Sequence, residues 1–132
     1  MSPTDRDERP RYIATYYLYH RRLEQKELWR VLTDTLSRLY GLQGSLDMGL
    51  FLPWLDDNQP VAVFRTSHKC LDQFFTITYF VTEYTGKPLV LVPWKTSGTL
   101  EKVKREVNKQ DWSALLLTAH FTPPQLDSQV KT

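Results

Sequence analysis

The chain has 132 residues, 41% hydrophobic and 24% charged, with a formal net charge of +2. That length fits one domain with a real but modest core, and the composition excludes a disordered chain. The charge permits a nucleic-acid partner without demanding one, and no apolar run is long enough to span a bilayer, so no membrane association is expected.

Met1 to Pro10 reads as a loose, charged lead, residues 11–121 as one α/β domain, and 122–132 as a polar tail after Pro123 and Pro124. The lead lacks the apolar stretch of a signal peptide. With one cysteine, Cys70, neither an internal disulfide nor a Cys-rich zinc site can form, and an intracellular, reducing compartment is expected.

Arg11 to His20 has strand composition, with large groups at alternating positions on both sides, so this strand is expected in the interior of a sheet or with one face covered by a partner. Glu24 to Tyr40 reads as a helix, because Leu28, Val31, Leu32, Leu36 and Leu39 fall on one face, and Gly41 is its stop. Leu46, Met48, Leu50 and Leu52 alternate, which predicts a second strand over Ser45 to Leu55. Asp56-Asp57-Asn58 signals a turn into a third strand, Val61 to Thr66. Ser67 is placed to cap a helix running from His68 to about Tyr84, which Gly86-Lys87-Pro88 breaks.

Leu89 to Trp94 hardly alternates and is therefore predicted as a central, buried strand. A last helix starts near Thr99 with Leu100, Val103 and Val107 inward. Trp112 to Ala119 fits a helical turn or a fifth strand, with helix favoured. Two split βαβ units then give a ferredoxin-like α+β fold, βαββαβ, with a four-stranded antiparallel sheet and two helices on one face. The extra C-terminal helix either covers the other face or extends to a partner.

No catalytic constellation emerges. His20, His68 and His120 are far apart, and His68 and Cys70, two apart on a helix, do not face each other. Asp56 and Asp57 sit at a hairpin tip that solvates both alike. Gly41 and Gly44 lack the ending of a phosphate loop. The third strand, Val61-Ala62-Val63-Phe64-Arg65, lacks the aromatic signature with which RNA-recognition motifs stack bases.

Two binding patterns remain. Lys102, Arg105 and Lys109 recur along the outer face of the last helix with Lys95 just before it, a surface able to neutralise phosphates, although Glu101 and Glu106 offset it. Aromatic residues make up 13% of the chain, more than a small core hides easily. Trp54, before a turn, and Trp112 are the candidate partner anchors.

Several motifs, taken in order, resemble a known family. Leu39-Tyr40-Gly41-Leu42-Gln43-Gly44 is similar to the helix-to-strand turn of the small α/β protein subunits of ribonuclease P and ribonuclease MRP. Phe51-Leu52, Asp56-Asp57, Val63-Phe64-Arg65 with His68, and Gly86-Lys87-Pro88-Leu89 resemble the fungal Pop-eight subunit. Arg11-Tyr12-Ile13 and Ser97-Gly98-Thr99-Leu100 lean toward the Pop-five relatives. The resemblance spans roughly Tyr12 to Val107 and is closest to the Pop-eight branch.

It implies a noncatalytic subunit of a nuclear and nucleolar ribonucleoprotein whose RNA does the catalysis. That assembly trims precursor tRNA or processes precursor rRNA. The implied partners are another small Pop-type subunit, a barrel-type protein subunit and the catalytic RNA. No cofactor or metal is expected. The competing readings are an acylphosphatase-type enzyme, for which Arg21-Arg22 lack the necessary glycine, and a ligand-binding regulatory domain of the same topology.

Overall fold

A computed structural model describes residues 9–110. Strand β1 (Pro10–Leu18) leads to helix α1 (Gln25–Met48), and β2 (Phe51–Leu55) and β3 (Val61–Ser67) follow. A 3-10 turn (His68–Cys70) enters α2 (Leu71–Phe80). The short strands β4 (Glu83–Tyr84) and β5 (Lys87–Pro88) precede β6 (Val90–Ser97) and α3 (Leu100–Asn108). The main sheet is antiparallel throughout, in the order β2-β3-β1-β6. With α1 and α2 together on one face, this is the ferredoxin-like arrangement.

The alternation read in β1 is real and serves two cores. Ile13 and Tyr17 join Leu28, Leu32, Leu36, Phe64, Phe74 and Ile77 beneath α1 and α2. Ala14 instead joins Val61, Val63, Val103 and Val107 beneath α3, with Tyr12, Tyr16, Trp54 and Trp94 at the margin. Of the two fates left open for the last helix, covering the second face is the one adopted.

Four expectations are corrected. The span from Ser45 is helical up to Met48, and only Phe51–Leu55 is a strand. Gly41 does stop the first helical segment, at φ 70° and ψ −170°, a region open essentially to glycine alone. The helix then resumes at a new angle. Ser45 Oγ donates to the Gly41 carbonyl at 3.0 Å. Gly44 is not a turn residue but a helical one, where any Cβ would overlap the Cβ of Tyr40.

The second helix ends at Phe80 rather than near Tyr84. Beyond it, β4 and β5 pair across Thr85 and Gly86, whose positive φ angles of 50° and 78° fit a tight hairpin turn. Tyr19 at the end of β1 holds this ribbon, its Oη donating to the Tyr84 carbonyl at 2.8 Å.

The last strand is an edge strand, not a central one: β6 pairs with β1 alone, while β1 and β3 occupy the middle. Its weak alternation has a different cause. Both of its faces meet apolar neighbours, Leu91 in one core and Trp94 beside the other. A register shift at Ala14/Thr15 also leaves Trp94 as the extra residue between Pro93 and Lys95.

Candidate nucleic-acid interface

The strand directions bring one end of the sheet together: the starts of β1 and β2, the ends of β3 and β6, and the first turn of α3. Thr99 caps that turn by accepting from the Lys102 backbone N–H at 3.3 Å. Val103 and Val107 are buried against the sheet, which turns Lys102 and Arg105 outward, both exposed.

Lys95 and Lys102 border one shallow pocket of about 190 Å³, with Ser97 between them and Glu106 beside them. Neither lysine is in an ion pair among the described residues, and Lys95 Nζ lies 5.5 Å from the Trp94 ring centroid. Lys109 is different: its Nζ pairs with Glu106 at 3.7 Å, so its charge is partly spent inside the helix. Of the four expected cations, Lys95 and Lys102 are brought together. Arg105 lies on the same exposed helix face, and Lys109 is one turn beyond, beside its carboxylate.

Trp54 is half-buried rather than exposed. It packs at the margin of the second core, and Lys104 Nζ sits 5.3 Å from its ring centroid. Trp112 lies outside the described residues. The outward apolar groups are others. Tyr79 is 81% exposed, beside the exposed Phe75 and Phe80. Leu42, 76% exposed, stands one turn from the exposed Leu46. The sequence carried a signal for the first patch: the apolar stripe of the second helix, from Phe74 to Val81, is wider than one helix face can bury.

The other polar candidates have structural tasks. Asp56 Oδ1 accepts from the Asn58 and Gln59 backbone N–H groups at 2.8 and 2.9 Å and so builds the β2–β3 turn. Cys70 is buried, its Sγ 3.6 Å from the Asp47 carbonyl, while His68 is exposed. Arg21 donates to both carboxylate oxygens of Glu27 at 3.0 and 2.7 Å. This pairing, more than any other contact, holds the Glu27 pKa down to about 2. Burial raises that of Tyr17, whose hydroxyl accepts from the Leu23 N–H at 3.1 Å. Both anchor the approach to α1. Among the described residues no group of three His, Cys, Asp or Glu side chains could hold a metal ion.

Comparison with known proteins agrees with this geometry. The model of the Rpp14/Pop5 family matches residues 11–108. Among curated relatives, ribonuclease P protein component 2 of Methanocaldococcus jannaschii is 27% identical over 104 residues, covering 79% of this chain and 75% of the relative. The protein of the same name from Methanocorpusculum labreanum is 27% identical over 107 residues, covering 81% and 71%. Among solved structures, a chain in the cryo-EM structure of yeast ribonuclease MRP superposes with a TM-score of 0.57 at 18% identity. That match covers 77% of this chain and 93% of the other, a likeness of fold.

Proposed function

The chain belongs to the Rpp14/Pop5 family, and from that premise we propose that it is a noncatalytic protein subunit of ribonuclease P, ribonuclease MRP or both. In this reading RNA performs the cleavage, in precursor tRNA 5′ processing and precursor rRNA processing, and the protein positions its neighbours. The observation that carries the proposal is the family match, which runs from β1 to the end of α3 and so takes in both faces of the sheet.

The structural tasks held by Asp56, Cys70 and Glu27 support the noncatalytic assignment. The outward residues Phe75, Tyr79, Phe80, Leu42 and Leu46 supply contact area for the expected protein partners, another small Pop-type subunit and a barrel-type subunit. Trp112 remains a candidate anchor. Lys95 and Lys102, with Arg105 and Lys109 beyond them, are proposed to meet RNA phosphates. The assembly would work in the nucleus and nucleolus. The five residues between β2 and β3, 56–60, favour the Pop-eight branch.

Affinity purification of the full chain from native cells, with sequencing of the bound RNA, tests this. Enrichment of ribonuclease P or MRP RNA, together with their protein subunits, is the expected result. Recovery of neither RNA would overturn the proposal.

A further inference from the structure

The same end of the sheet carries a second feature, one strand over from Lys95 and Lys102. At the junction of α1, β2 and β3 a groove of about 360 Å³ is lined by Phe51, Arg65, Ser67 and Lys69. Its floor is fixed. Thr66 Oγ1 donates to the Met48 carbonyl at 2.7 Å and Cys70 Sγ approaches that of Asp47, so carbonyls at the end of α1 are satisfied without solvent.

Phe51 is 54% exposed, an unusual position for a bare phenyl ring. Arg65 lies between two rings, its guanidinium carbon 5.7 Å from the Phe51 centroid and 6.0 Å from that of Tyr12. The Ser67 hydroxyl oxygen is buried and has no hydrogen-bond partner among the described residues, a polar group left over in a folded protein. Among the described residues Asp47 is the one carboxylate on the groove wall, and its Oδ1 accepts from the Gln43 amide at 3.1 Å.

An exposed ring, a planar cation beside it, a second cation and a spare hydroxyl form a set that suits one unpaired nucleotide. The base has a face to stack on, and the phosphate has Arg65, Lys69 and Ser67 as donors. The third strand lacks a stacking aromatic on its outer row, so the ring comes from β2 instead. Arg65 and Ser97 both lie opposite Tyr12. Arg65 is therefore two ladder steps, about 10 Å, from the β6 side of the basic surface. Arg11 lies between, its Nη1 3.6 Å from where a Cβ on Gly98 would stand.

We infer that this groove holds an unpaired nucleotide of RNA, base on Phe51 and phosphate toward Arg65 and Lys69, and that the strand continues across β1 to Lys95 and Lys102. The inference rests on the reading of the chain as a ribonucleoprotein subunit.

The test uses the full chain and a labelled oligouridylate of about eight nucleotides, with an RNA duplex of equal length and a polyglutamate peptide as comparisons. Phe51→Ala should weaken oligouridylate binding about fivefold or more and leave duplex binding unchanged. Lys69→Gln should lower the salt slope by about 0.7. Phe51 and Lys69 are both exposed, so circular dichroism should show both variants folded. In assemblies purified from cells fed 4-thiouridine, crosslinks should map to the peptide holding Phe51.

If folded Phe51→Ala and Lys69→Gln bind oligouridylate like the parent while Lys95→Gln and Lys102→Gln weaken it, the groove is refuted and the subunit reading stands. Polyglutamate displacing the RNA through Phe51 would refute the nucleotide and assign the groove to acidic protein. Absence of ribonuclease P and MRP RNA from the purified protein would instead remove the premise.

Discussion

The two faces of the sheet are built on different scales. Beneath α1 and α2 lie the fully buried Tyr17, Phe64, Phe74, Leu28, Leu32 and Ile77, large side chains from several elements. Beneath α3 the buried set is Ala14, Val61, Val63, Val103 and Val107, with aromatic residues half-buried around it. A helix of nine residues cannot roof a four-stranded sheet. The first face therefore holds the fold together, and the second leaves a margin where Tyr12, Arg65 and Phe51 stay within reach of a ligand. Stability and binding are separated by the plane of the sheet.

The strongest way to break that separation is to open the first core. Phe74→Ala removes a ring that packs tilted against Phe64, centroids 5.5 Å apart, and should cost about 4 kcal/mol, a large part of the stability of a domain this size. Urea unfolding should show a collapse of the midpoint, or no folded protein at all. The equivalent change beneath α3 is smaller. Val107→Ala deletes two carbons from a site with no exposure and should cost about 2 kcal/mol, with the cooperative transition retained. Equal losses at both positions would mean that the faces carry equal weight.

The same division explains what could be read in the sequence. Alternation along β1, the Leu28 to Leu36 stripe and the Leu100, Val103, Val107 spacing each report which side of an element is covered, and each was legible. Alternation does not report edges. The smooth run at Leu89 to Trp94 follows from apolar neighbours on both faces, and its edge position comes from the pairing of β1 with β3, fixed elsewhere in the chain. Leu42 and Leu46 at helical spacing compete with Leu46 and Met48 at strand spacing. Helix is the form adopted, and the Met48 carbonyl at its end is held by Thr66 Oγ1, a tertiary contact that local spacing does not report. The β4–β5 ribbon that follows α2 is held by Tyr19, sixty-five positions before Tyr84. The nearness of Lys95 to Lys102 was visible as a short separation in the chain, across the turn from β6 into α3. The Phe51 groove was not, because its walls come from α1, β2, β3 and the 3-10 turn.

Two smaller effects sharpen the comparison at the borders of each face. On the first, Glu27 accepts from both Arg21 nitrogens and from the Glu24 N–H at 3.0 Å. Its folded pKa, about 2, lies below an ordinary 4.5. Its contribution is therefore complete above pH ~4.5 and fades as the pH falls through about 2. Arg21 is exposed, so screening limits the effect to about 1 kcal/mol. Glu27→Gln should remove that part of the acid sensitivity in urea titrations between pH 2 and about 5, and an unchanged pH profile would show that the pair contributes nothing.

On the second face, Lys104 covers the indole of Trp54 at 5.3 Å. Such a contact at a half-exposed site is worth about 0.5 kcal/mol, so Lys104→Ala should barely move the urea midpoint. Its larger consequence is optical. With the lysine gone, water reaches Trp54, and its fluorescence should become easier to quench with iodide or acrylamide. Using both quenchers matters, because removing a positive charge alone would lower quenching by an anion such as iodide. In a background where Trp29, Trp94 and Trp112 are replaced by Phe, a rise with neutral acrylamide reports exposure of the Trp54 ring. If acrylamide quenching stays the same, α3 itself shields Trp54, and the margin of the second face is closed there even without the lysine.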